Sequence, residues 1–233
     1  MNKTSILIAV SILVIVGALG VVQFLSKKQP IPAESPVATS TPEQNVSTTT
    51  EVVVKTTVTT TKRPVANPLP ISSGDTVISW SFAGAYANNV DLIAKANTEI
   101  RRVSGLLGSG QYSDTALYIG IANQYDLLGD GKQEYDYLIR AVKADVNVTS
   151  GLPWHNLGVL MEKLGAIQTA RTAYEKSTLI QPGSKFYHYA YLEFLINRLK
   201  GETSIIEKAF STAIKSLGQD SDIIQLQTEW KNS

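Results

Sequence analysis

The chain has 233 residues, enough for one or two domains. Its formal net charge of +1 excludes the broad electrostatic attraction to nucleic acid or anionic lipid that strongly basic proteins have. It contains no cysteine, which excludes disulfides, thiolate metal sites and cysteine nucleophiles.

The first element is an almost unbroken apolar run, residues 5–25, inside an N-terminal segment 1–28. About 20 residues in a helix span a hydrocarbon core of about 30 Å, so the run predicts a single transmembrane helix. A cleavable signal peptide is the alternative, with a small-residue site at 18–20. We favour an uncleaved signal anchor, because apolar residues continue past that site and Lys27 and Lys28 follow them.

The orientation of this anchor is weakly specified, since Lys3 and the amino terminus nearly balance Lys27 and Lys28. The very short leading segment and the Ser/Thr/Pro-rich stretch that follows favour an extracytoplasmic C-terminal domain. We therefore expect a single-pass membrane protein, bound to the membrane through residues 5–25.

Proline, serine and threonine dominate residues 29–75, and few large apolar residues are available there to offset chain entropy. This composition predicts a disordered Thr/Pro-rich linker. Within it, the segment Glu51–Thr61 is rich in β-branched residues. It leaves open a second interpretation, in which the Thr-rich segment is itself the functional part of a surface stalk.

The predicted folded domain spans residues 76–233. Residues 75–82 alternate partly between apolar and polar side chains, which indicates a short extended segment that docks on helices. Residues 88–107 then read as an amphipathic helix. Its apolar side is marked by Val90, Ile93, Ala94, Ala96, Ile100 and Val103.

One spacing of apolar and small residues recurs between residues 115 and 218, and it is clearest in 151–184. Trp154 and Leu157 share one helical face, and Gly158 beside them lets a second helix approach closely. The second helix then carries a small residue, Ala170, and a large one, Tyr174. Pro182 ends the unit, because proline cannot continue a helix.

The flanking segments repeat this spacing. A first repeat at about 115–148 has Tyr118 and Tyr125 at first-helix positions, and a third at about 185–218 has Ala209 and Phe210 in its second helix. A last helix at 221–231 can cover the exposed end of the stack.

Together these residues resemble the tetratricopeptide repeat (TPR), a helix-turn-helix unit of about 34 residues. Met161 stands where the family has tyrosine, and Ser177 where alanine is more usual. The resemblance covers roughly half of the chain. It implies an all-α solenoid of TPR-like helical hairpins, here behind a single N-terminal transmembrane helix and a disordered linker.

The resemblance also implies that the first helices of the hairpins line a groove that binds a peptide segment of another protein. The side chains at the groove positions of this chain include amides, carboxylates and a tyrosine, which favours a polar or basic peptide. The basic clamp of chaperone-tail binders is absent, since Ile119, Phe186 and Ala190 occupy its places. The family's groove positions fall on Asn123, Asp126, His155, Asn156, Val159, Glu162, Tyr189, Glu193 and Asn197.

No motif indicates catalysis, a metal or a cofactor. His155 and His188 lack ligand spacing, the acidic residues around Gly131 do not follow the calcium-loop order, and no phosphate-binding glycine loop occurs. We therefore expect a non-enzymatic, membrane-anchored scaffold for protein–protein interaction, in a cell-envelope, secretion or pilus complex, that binds no nucleic acid. The alternative is the structural surface stalk, and the oligomeric state is not predicted.

Overall fold

The computed structural model describes residues 67–233. The predicted membrane anchor and most of the predicted linker lie outside this range. Within it the chain forms eight α-helices and no strand ladder. They are α1 (Val90–Ser104), α2 (Asp114–Leu128), α3 (Gly131–Ala144), α4 (Leu152–Lys163), α5 (Ile167–Ile180), α6 (Lys185–Arg198), α7 (Thr203–Leu217) and α8 (Ser221–Lys231). No helix between residues 67 and 233 is long and apolar enough to cross a membrane.

Six of these helices form three consecutive hairpins, α2–α3, α4–α5 and α6–α7. Each hairpin packs on the next, while α1 precedes the stack and α8 follows it. Gly129 and Gly165 stand in the turns of the first two hairpins with φ of 78° and 79°, a left-handed conformation that favours glycine. The all-α architecture is consistent with a helical solenoid, as the periodicity predicted.

The residues of the recurring spacing make up much of the core. Trp154, Leu157, Ala170, Tyr174, Ala209 and Phe210 are buried, and Pro182 is exposed just after α5 ends. Gly158 lets α5 approach α4 closely, as expected, because an added Cβ would lie 2.8 Å from Cγ of Tyr174. Tyr118 and Tyr125 are only partly buried, and their rings pack on Tyr137 at centroid distances of 6.2 and 5.5 Å.

Residues 67–86, here called the strap, pack against the first two hairpins. The strap includes 67–75, which the sequence assigned to the disordered linker, so the predicted linker boundary differs from the structure. Leu69 is 2% exposed, and its carbonyl accepts a 2.5 Å hydrogen bond from the hydroxyl of Tyr135, which in turn accepts one from Nδ2 of Asn67. Proline-rich composition indicated disorder, but these contacts with distant helices order the segment.

Asp75 of the strap caps the N-terminus of α5 from a distant part of the chain. Its carboxylate accepts hydrogen bonds from the backbone nitrogens of Gln168 and Thr169, at 3.1 and 2.6 Å, and from the hydroxyl of Thr169 at 2.7 Å. Ala166, at the N-cap position, offers no side-chain acceptor. Asp75 therefore satisfies backbone donors that the helix cannot satisfy locally.

The rest of the strap lies on the turn between α2 and α3. The backbone nitrogens of Phe82 and Tyr86 donate to the carbonyls of Gly129 and Leu127, at 3.1 and 2.9 Å. An added Cβ at Gly84 would stand 2.4 Å from the nitrogen of Gly129, so only glycine permits this approach. The docking of an extended segment predicted at 75–82 is thus present, and it reaches both hairpin turns.

Candidate functional site

The nine predicted groove residues all lie on the first helices of the three hairpins. α2 carries Asn123 and Asp126, α4 carries four, and α6 carries Tyr189, Glu193 and Asn197. The four on α4 are His155, Asn156, Val159 and Glu162. Asn197 is exposed, and all the others except His155 are partly buried.

Polar side chains connect α2 directly to α4. Nδ2 of Asn156 donates to Oδ1 of Asn123 at 3.3 Å, and Nζ of Lys163 makes an ion pair with Asp126 near the C-terminal ends of the two helices. The ammonium of Lys163 also lies 4.2 Å from the ring centroid of Phe82, which belongs to the strap. These contacts bring together Asn123, Asp126 and Asn156, three of the predicted residues of the first two repeats.

A second set of contacts connects α4 to α6 through Glu162. Nε of Arg198 lies 3.5 Å from Oε1 of Glu162, and the hydroxyl of Tyr174 donates to Oε2 at 3.1 Å. Glu193 is half-buried on α6, and burial followed by the charge of Glu162 raises its pKa. The surface therefore continues across the third repeat.

Tyr189 lies in a cleft of about 160 Å³ between α6 and α8. The other residues that line this cleft come from α8 and are Asp222, Gln225, Leu226 and Glu229. Burial raises the pKa of Tyr189, and the carboxylates of Glu193, Glu229 and Asp222 raise it further, while Lys185 lowers it. The sequence identified α8 only as a cap, so its contribution to this surface was not predicted.

His155 differs from the expectation of a surface or groove side chain. It is 8% exposed, and its ring packs on Tyr174, Phe186 and Tyr187 at centroid distances of 5.6, 4.6 and 5.6 Å. Burial lowers its pKa to about 4, and Nδ1 has no hydrogen-bond partner. The physical reason is that Phe186 and Tyr187, from the start of the next hairpin, cover it.

Glu134 is a buried carboxyl that sequence reasoning did not single out as part of this region. It lies in the first turn of α3, near Asp126 and Lys163, and its Oε2 has no hydrogen-bond partner. Burial, then the charge of Asp126, raises its pKa to about 9, although Lys163 opposes the shift. The group is therefore protonated at neutral pH and adds no charge to the surface.

The polar side chains of this surface are mainly amides and carboxylates. Its amides can donate to and accept from a peptide backbone, and its carboxylates can accept from cations.

Between residues 67 and 233 no group of three or more His, Cys, Asp or Glu side chains is arranged to hold a metal ion. His188 is buried, and its Nε2 lies 2.9 Å from the carbonyl oxygen of Pro182.

Comparison with known proteins gives no relative from which a function could be carried over. No family model, no curated protein sequence and no solved structure matches this chain.

Proposed function

We propose that this protein is a membrane-anchored, TPR-like scaffold that binds an extended segment of another protein along helices α2, α4 and α6. In this proposal residues 5–25 anchor the chain in the membrane and the hairpin stack lies on the extracytoplasmic side. The bound protein belongs to a cell-envelope, secretion or pilus assembly. The anchor is inferred from the apolar run, and the binding role from the repeat spacing and from the surface of the first helices.

One observation carries the binding proposal: polar side chains connect the three first helices side by side. Asn123 meets Asn156 across α2 and α4, and Glu162 meets Arg198 across α4 and α6. The predicted residues that these contacts involve, Asn123, Asn156 and Glu162, therefore lie along neighbouring first helices instead of being scattered over the domain. A continuous row of amides and carboxylates suits an extended polypeptide, whose backbone offers a donor and an acceptor at most residues.

The two asparagines are the best placed side chains for backbone recognition. A carboxamide has two donors and two acceptor sites, and the single 3.3 Å bond between Asn123 and Asn156 uses only part of this capacity. Both side chains are partly buried, so their orientation is constrained before binding. Such preorganisation reduces the entropy lost when a peptide is captured.

Site-specific photocrosslinking of the full chain in native membranes tests this proposal. A photoreactive residue at Asn197, exposed on α6, should yield a discrete crosslinked partner. The same residue at Glu207, exposed on α7, should not. Adding Asn123→Ala and Asn156→Ala to the Asn197 protein should reduce the crosslink severalfold while the helical circular dichroism is unchanged. Equal crosslinking from both positions, or no effect of the asparagine substitutions, would exclude this surface as the binding site.

A further inference from the structure

The strap is attached to the hairpins at its two ends, and a large apolar side chain between them is almost fully exposed. At one end Leu69 is buried, and the carboxylate of Asp75 caps α5. At the other end the backbone nitrogens of Phe82 and Tyr86 donate to the turn between α2 and α3. Between these ends Ile78 is 95% exposed. The strap therefore has two attachments to the first two hairpins.

These attachments bury less apolar surface than the packing of the hairpins. Within the strap only Leu69 is buried, and the other residues are exposed or partly buried. By contrast, Leu157, Leu160 and Phe210 of the hairpins are 0% exposed. A segment with few buried apolar side chains opens at a lower free energy than the core of its domain. The strap can therefore detach while the hairpins stay folded.

Lys163 connects the strap to the predicted groove. Its ammonium pairs with Asp126, a predicted groove residue, and lies 4.2 Å from the ring centroid of Phe82. A cation at this distance from an aromatic ring attracts it. The side chains of Lys163 and Asp126 are 34% and 24% exposed, so a ligand can reach the pair. The carboxylate thus holds the ammonium where it stabilises the docked strap.

The strap is also the first part of the fold that a pull from the N-terminal side meets. Residues 1–66 precede it, so a pull on the chain at Asn67 acts on the strap before it acts on a helix. Once detached, its roughly 20 residues span at most about 66–72 Å, at about 3.3–3.6 Å each. Detachment would therefore lengthen the chain between the predicted anchor and the hairpins.

We propose that the strap is a latch that opens as one unit, and that a lysine or arginine side chain of a peptide bound at Asp126 releases it. The cation of the peptide takes the carboxylate, which frees Lys163 and removes its contact with Phe82. Peptide binding and strap docking then oppose each other, with an equal effect in both directions. The inference rests on the proposed function and adds a control to it, because an occupied groove gives a longer tether.

Amide hydrogen exchange of the full chain in detergent micelles tests whether the strap opens as a unit. The amides of Ser72, Phe82 and Tyr86 report on its two ends, because each donates a hydrogen bond to the hairpins. They should share one degree of protection, lower than that of amides in the middle of α4. Asp75→Ala should speed exchange at all three by the same factor, about two- to thirtyfold. Faster exchange at Ser72 alone, or equal protection of the strap and α4, would overturn the inference.

The control by the groove is tested with Asp126→Asn, which imitates a bound cation because it removes the charge that holds Lys163. It should speed exchange of the three strap amides roughly two- to fivefold, as expected for a cation–ring contact near the surface. Glu162→Gln is the matched control, since Glu162 holds the equivalent place in α4. Glu162 pairs with Arg198, which faces no ring of the strap in the described part of the chain. This variant should leave strap exchange unchanged.

A Phe82→Leu background separates coupling through the ring from a general loss of stability. Without the ring, Asp126→Asn should no longer speed exchange at Ser72 and Tyr86. An undiminished effect in this background, or an equal effect of Glu162→Gln in the parent protein, would refute the release of the latch through Lys163.

These measurements use no partner, so their failure is distinguishable from failure of the proposed function. A crosslink from Asn197 that depends on Asn123 and Asn156, without the expected strap exchange, would retain the groove and refute the latch. The expected exchange without that crosslink would support the latch and its trigger at Asp126, and would count against the groove.

Discussion

Replacing Gly158 by alanine measures how tightly α4 and α5 pack. The added Cβ would stand 2.8 Å from Cγ and Cδ1 of Tyr174 and 3.0 Å from Cδ2, whereas carbon atoms pack best at about 3.5–4.0 Å. The ring cannot easily retreat, because Tyr174 is buried and contacts the rings of His155 and Phe194 at 5.6 and 5.0 Å. Overpacking of this kind costs about 1–3 kcal/mol.

An opposing effect reduces this cost, since alanine stabilises a helix interior by about 0.5–1 kcal/mol over glycine. The net expectation for Gly158→Ala is a loss of about 1–2 kcal/mol, or roughly 2–8 °C in melting temperature for a domain of this size. Gly120 in α2 is the matched control, because an added Cβ there meets nothing within 4 Å. Gly120→Ala should therefore stabilise the protein by about 0.5–1 kcal/mol.

Thermal denaturation of both variants, followed by circular dichroism on the full chain in detergent, gives the comparison. The two variants should differ in stability by about 1.5–3 kcal/mol. Because both gain the same helix propensity, this difference reports the contact with Tyr174. Equal stability of the two variants would refute the packing of α4 on α5 at Gly158 and, with it, the register of the middle hairpin.

Three further perturbations test other parts of the structure. Trp154→Ala empties a site that is 6% exposed and should cost about 3–5 kcal/mol in chemical denaturation. Asp75→Ala should cost about 0.5–2 kcal/mol and speed amide hydrogen exchange at Ser72. Burial raises the pKa of Asp75, but hydrogen bonds from Thr169 and Gln168 lower it overall. The stability that Asp75 contributes should therefore be lost as pH falls through that lowered pKa. Folding raises the pKa of Glu134 from 4.5 to about 9, chiefly by burial, so the free energy of unfolding should fall as pH rises through this range. Chemical denaturation at several pH values should show that the Glu134→Gln variant lacks this pH dependence.

The three hairpins were predictable because their signals are local in sequence. Helical periodicity places Trp154 and Leu157 on one face, and Gly158 and Pro182 mark a close contact and an end within the same 34 residues. Such short-range patterns specify helices and turns without reference to distant parts of the chain, which is why the helix pairs appear where the spacing placed them.

The features that were not predicted depend on residues far apart in sequence. Residues 67–75 have the composition of a linker, but contacts with Tyr135, Gln168 and Thr169 order them. The burial of His155 comes from Phe186 in the next hairpin, and Glu134 is buried too, although it is a charged residue type in sequence. Periodicity describes one helix at a time, so it cannot show which polar residue a neighbouring element will cover.

The cap that Asp75 provides to α5 sets an order of events during synthesis. Asp75 and Thr169 are 94 residues apart, and a ribosome adds about 5–20 residues per second, so the aspartate waits on the order of 5–20 s for its partner. The hairpin contacts are local and can form within that interval. The strap is therefore expected to close onto α5 only after the first hairpin has formed and α5 has begun to emerge.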